Sequence, residues 1–330
     1  MHRKFYAIVR NTFIETIRQP IFSVLMWVAV AMLIVNPSLA QWSLQAGQDN
    51  KILQDVGLAT LLLFGLVASA FSATGVITRE IENRTVLTVI SKPVGRLSFL
   101  LAKYVGVSGA LLVGYYFLCL VLMMTVRHGV METVSDKFDL PVMVFSGAAL
   151  AISLVVATFG NYMYGWHFPT ALIAWVVPLG SVALGLTLFF DPKWVTQSPL
   201  TDFGDMQMIY AITTTFLSVL VLTAFAVTIS TRFSQVMTLI FCVAVFCIGL
   251  LADHLVGPEL VDGRYLEQSL VHAALYAALP NFQFFWLADA LTQEQEIPGS
   301  HVLRLMGYTA LYIPAVLAMG VAMFQTREVG

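Results

Sequence analysis

The sequence predicts an all-α, polytopic membrane protein, and three observations carry that expectation. Hydrophobic residues make up 58% of the 330 and charged residues only 11%, against roughly a quarter charged in an ordinary soluble domain. The mean hydropathy is +0.83. The apolar residues gather in charge-free stretches, each long enough for the roughly 20-residue helix that crosses a bilayer core. A soluble globule with so few charges has no means of covering its surface. Soluble enzymes, nucleic-acid binders and disordered linkers are excluded as classes.

Eight spans are expected, at 20–40, 56–78, 104–126, 141–160, 170–190, 207–230, 235–252 and 305–324. The segment before the first has a helical pattern of its own. Phe5, Val9, Phe13 and Ile17 share one face, with Arg3, Arg10, Asn11 and Arg18 opposite. That pattern, with Lys4 as a further cation, predicts a helix over 1–19 lying in the membrane interface. The apolar core 21–35 and the small residues Ser38-Leu39-Ala40 also fit a secretory signal. The long patterned segment ahead of that core predicts an uncleaved first span instead. The hairpin 141–190 turns within a few residues. The segment 253–304 is expected to form two short helices at the outer interface: Tyr265 to Leu279, ended by Pro280, then one capped by Asn281 and carrying Phe282, Phe285 and Trp286. These aromatics, with Tyr276, make it a candidate lid; the alternative is a lipid-resting loop with no gating role.

The spans sort the charges. Of 17 Lys and Arg, 11 fall on one side: Arg3, Lys4, Arg10, Arg18, Arg79, Arg84, Lys92, Arg96, Lys103, Arg232 and Arg327. The positive-inside rule makes that side cytoplasmic, with both termini on it. Lys103 is expected to snorkel at a cytoplasmic span end. The spans carry essentially no acid or base at the midplane, where an intramembrane enzyme or ion-coupled carrier places its working groups. HExxH and GxSxG motifs are missing, and no Gly-Lys dipeptide exists to form a Walker A loop. The histidines, His254, His272 and His301 among them, have no compact ligand spacing. Cys119, Cys242 and Cys247 lie in apolar runs and read as buried packing thiols.

One cytoplasmic segment, Thr78 to Arg96, differs from the rest. Glu80 and Arg84 stand at i,i+4 in the favourable order, and Pro93 and Gly95 end the helix-compatible part. The order Glu-x-x-x-Arg-Thr, then Lys-Pro-x-x-Arg, then Lys103 resembles the first coupling-helix region of type 2 ABC transporter permeases. Ala226 to Phe233 is similar to the Ser/Thr turn closing a later span of that family. Leu279-Pro280-Asn281-Phe282 resembles its outer Pro-Asn-Phe element, and Phe324-Gln325-Thr326-Arg327-Glu328 its C-terminal ending. The most similar subgroup is the permease component described as involved in multi-copper enzyme maturation.

The resemblance implies a single transmembrane permease domain over 1–330, in a bacterial inner membrane. It implies a homodimer, or a pair with a paralogous permease, with separate ATPase subunits docked beneath. ATP and magnesium would sit on those subunits, with no cofactor on this chain and no enzymatic activity of its own. Arg79, Glu80, Glu82, Arg84, Thr85, Lys92, Pro93 and Arg96 would form the ATPase contact, braced by the helix at 3–19. The family usually has six spans, so 141–190 reads as an inserted hairpin. The alternative is a membrane assembly or scaffold subunit that moves no cargo.

Overall fold

The computed structural model describes residues 2–41, 49–82, 95–131, 138–199, 206–256, 278–293 and 295–325. Among them no strand forms beyond one isolated bridge between Phe190 and Thr196. The helices are α1 (His2–Arg18), α2 (Pro20–Ala40), α3 (Asp49–Glu82), α4 (Arg96–His128), α5 (Leu140–Tyr164), α6 (Phe168–Thr187), α7 (Gln207–Ser230), α8 (Gln235–Leu250), α9 (Ala252–Val256), α10 (Ala288–Thr292) and α11 (Gly299–Gln325). Seven of them, α2 to α7 and α11, are long and apolar enough to cross a membrane. The chain is a multi-pass membrane protein built as a helical bundle.

Two helices outrun the expected spans by the most. α3 has 34 residues and α4 has 33, each rising about 50 Å against a hydrocarbon core of about 30 Å. Charge-free stretches mark only the part that lipid can cover. Backbone hydrogen bonding does not stop at the headgroups, so α4 begins at Arg96 and runs through Lys103.

α7 is the centre of the bundle and packs against α3, α11, α4 and α8. All its Thr and Ser side chains but Thr213 are buried, and most donate to their own helix's carbonyls, as Thr215 does to Ala211 and Thr223 to Val219. Those bonds let hydroxyls sit in an apolar interior. The α5–α6 hairpin lies outside this core. α5 packs chiefly on α6, and α6 joins the hairpin to α4. Its turn takes three residues. Gly165 holds φ 66°, the left-handed value that ends a helix, and Trp166 folds back over Gly160, where a β-carbon would collide with the indole. The side-chain amide of Asn161 donates to the Trp166 carbonyl at 2.6 Å.

α8 has 16 residues, a rise of about 24 Å, which is short of a full crossing without its neighbours. Its end meets the returning chain directly: the Phe282 N–H donates to the Gly249 carbonyl at 3.1 Å. A side chain at Gly249 would strike the Pro280 carbonyl. One sequence expectation needs correcting here. Cys119 and Cys242 are buried, but Cys247 is exposed, because it lies on the side of α8 opposite its buried Thr238, Cys242 and Gly249.

Candidate functional site

The structure gathers at one end of the bundle several stretches that lie far apart in sequence. Arg96, in the first turn of α4, donates from Nη1 to the Gln325 carbonyl at 2.8 Å. Arg232, just beyond α7, donates to the Met323 carbonyl from Nε at 2.9 Å and from Nη2 at 2.6 Å. Two guanidinium groups thus hold the last carbonyls of α11, the helix end whose dipole favours cations. Below them the Phe99 and Phe324 rings stack at 6.1 Å. Arg96 lies 5.7 Å above the Phe324 ring centre and the Lys103 ammonium 5.5 Å from that of Phe99, within cation–π reach. The Thr228 hydroxyl donates across to the Val316 carbonyl at 3.0 Å, fixing α7 against α11.

α1 lies at this same end, which we call the basic end. Its Thr12 and Val9 meet α4 at Gly106, where a β-carbon would come within 2.6 Å of Thr12. Phe13 approaches Gly109. The apolar face expected to rest on lipid therefore packs largely on α4, with Thr12 and Thr16 buried in the same contact. Arg3, Lys4, Arg10 and Arg18 are all exposed on the other side. Lys103 differs from its expected snorkelling position. It is 1% exposed, enclosed where α4 is covered by its neighbours, and it has an interaction partner there.

Of the residues expected to contact an ATPase, Arg96 is placed as described. Arg79, Glu80 and Glu82 continue α3 as helix, which brings the start of that stretch to the basic end. Arg84, Thr85, Lys92 and Pro93 lie outside the described residues.

The far end holds the second group. Tyr276 and most of the expected helix from Tyr265 lie outside the described residues. Pro280, Asn281 and Phe282 are buried, and Trp286 is half-buried. The Asn281 side chain donates to Asp253 at 2.6 Å and accepts from the Gln283 N–H at 3.0 Å, opening a single 3-10 turn, Gln283–Phe285. The described residues 280–286 are packed into the bundle rather than laid over its end. Phe282 and Phe285 are each 1% exposed and share a small cavity with Leu62, Thr215, Ser218 and Phe246. Thr215 lies about 12 Å down α7 from its start at Gln207, so the chain dips into the bundle where α8 stops short. Burial of two phenyl rings drives the dip, and the apolar pattern of 282–286 reads the same for either placement. α11 also touches the dipping segment: Tyr312 donates to the Ala278 carbonyl at 2.6 Å, and the Phe285 and Tyr308 rings stand 5.9 Å apart.

A further feature escaped the sequence reading. Arg127 and Asp139 form an ion pair at 3.2 Å with side chains 4% and 3% exposed. Arg127 also donates to the Thr187 and Phe190 carbonyls, and Asp139 accepts from the Val142 N–H at 3.0 Å. The available signal was Asp139-Leu140-Pro141, an N-cap followed by an early helix proline.

Among the described residues no group of three or more His, Cys, Asp or Glu is arranged to hold a metal ion. No family model matches the chain, and no curated protein matches it in sequence.

Proposed function

We propose that this chain is the transmembrane permease subunit of an ABC transporter. It would act as one of a pair of permease chains and move a substrate across a bacterial inner membrane on ATP hydrolysis by a separate subunit. The observation that carries the reading is the convergence at the basic end. Arg96, Arg232 and Gln325, each within a stretch that resembles such permeases, meet at the end of α11: Arg96 bonds to the Gln325 carbonyl, and Arg232 to that of Met323, the residue before the third stretch. Residues 79–96 leave from the ends of the two longest helices, so force applied there would reach α3, α4 and, through Arg96, α11. In this reading the basic end faces the cytoplasm, in line with its cations. α8 together with the dipping segment supplies an eighth crossing. The peripheral position of α5–α6 is what an insertion into a six-span core would produce.

The test is purification of the tagged full-length chain from its native membrane in mild detergent. The expected result is co-elution of a polypeptide with a Walker A sequence and ATP hydrolysis that the Glu80→Lys/Arg84→Glu variant no longer stimulates. A pure chain with no ATPase partner, or stimulation unchanged in that variant, would leave the scaffold reading in its place.

A further inference from the structure

We infer that α1, together with the turn between α5 and α6, forms a shelf that binds anionic phospholipid headgroups in the leaflet at the basic end. One side of α1 is already occupied. At about 100° per residue, Val9, Thr12, Phe13 and Thr16 make one face, and that face packs on α4. Arg3, Lys4, Arg10 and Arg18 fall within about a third of the circumference on the opposite face, and all four are exposed. The only acidic residue of α1, Glu15, is half-buried and already engaged in an interaction of its own. Glu15 stands at the edge of the outward face, about 20° around the helix from Lys4, so that face carries four exposed cations against one half-buried acid.

A second observation, independent of charge, locates this face in the headgroup layer. α1 touches α6, which begins at Phe168. Phe168 packs in a cluster with Trp27, two turns into α2, so the α5–α6 turn stands at the same end of the bundle. It holds Tyr164 at 68% and Trp166 at 42% exposure. Tyr and Trp concentrate at headgroup depth because one part of each ring system is apolar and the other seeks water. Cations beside exposed interfacial aromatics match a phosphate with its acyl chains, and an acidic protein surface would leave the aromatics without a counterpart. The commitment is to a lipid phosphate. Near an anionic surface each Lys or Arg strengthens binding roughly fivefold, and the effect is screened within about 10 Å at 0.1 M salt.

The test uses the purified full-length chain in neutral detergent, titrated with phosphatidylglycerol or phosphatidylcholine, with bound lipid counted by native mass spectrometry. The expected result is tighter binding of the first phosphatidylglycerol than of phosphatidylcholine, weakened by added salt. Arg10→Gln/Arg18→Gln should weaken the anionic lipid about 25-fold, at roughly fivefold per charge, and leave phosphatidylcholine unchanged. An Arg10→Lys/Arg18→Lys variant, which keeps the charge, should retain the preference and serves as the folding control. Tyr164→Ala/Trp166→Ala should weaken both lipids alike. Equal affinity for the two lipids in the unaltered chain, or a preference that survives the Gln substitutions, would overturn the inference.

Discussion

Replacing Arg127 by Met is expected to destabilise the protein by about 3–5 kcal/mol, the range for breaking a buried ion pair from one side. The structure gives three reasons to expect the full range. Both side chains are almost wholly enclosed, at 4% and 3% exposure, so solvent cannot take over either charge. Arg127 also serves the carbonyls of Thr187 and Phe190, which lose a donor with it. The Asp139 carboxylate left behind keeps one bond, from the Val142 N–H, too little to offset its burial. Asp139→Asn preserves an acceptor for that N–H and removes only the charge. Combined in a double-mutant cycle, the two substitutions should show a coupling of about 2 kcal/mol, within the range for residues in one network. The assay is reversible unfolding in mixed micelles, paired with proteolysis at the 188–197 loop, because the pair ties α4 to both ends of the α5–α6 hairpin. A coupling below about 0.5 kcal/mol, the additivity limit for independent sites, would refute the argument that the pair fastens the hairpin.

Phe282→Ala should cost about 3–5 kcal/mol while Phe284→Ala, whose ring is 44% exposed, should stay within about 0.5 kcal/mol; equal effects would mean that the segment does not dip into the bundle. Gly320→Ala would place a β-carbon 2.7 Å from the Thr228 hydroxyl and 3.2 Å from the Thr228 backbone, so a loss of about 1–3 kcal/mol from overpacking is expected, and an unchanged melting temperature would contradict the contact. A lipid-soluble maleimide should modify Cys247 in the folded protein and reach Cys119 and Cys242 only after unfolding; labelling of all three at one rate would place them on the same footing.

The membrane class was legible because it depends on composition and run length, which no tertiary contact can overrule. Positions 20–40 and 207–230 match α2 and α7 to the residue. Span length was less legible for α3 and α4, since a charge such as Lys103 ends an apolar run without ending a helix. The partner of each apolar face was less legible still. Phe5, Val9 and Phe13 read as a lipid-facing stripe, and the same stripe serves equally well for packing on α4. Gly106 and Gly109 supply the groove for it, but a glycine pair inside an apolar run has many other uses.

What the sequence hides most completely is pairing between segments far apart in the chain. Arg232 and Met323 are 91 positions apart and Arg96 and Gln325 are 229 apart. Neither bond leaves a local signature, because the acceptor in each is a backbone carbonyl that any residue supplies. The resemblance motifs marked Arg96, the Ser/Thr turn and the C-terminal ending as separate short patterns. In the folded chain they form one clamp on the end of α11. The same helix, at its middle, holds Ala278 and Phe285 through Tyr312 and Tyr308. α11 therefore connects the two groups of residues that the sequence singled out.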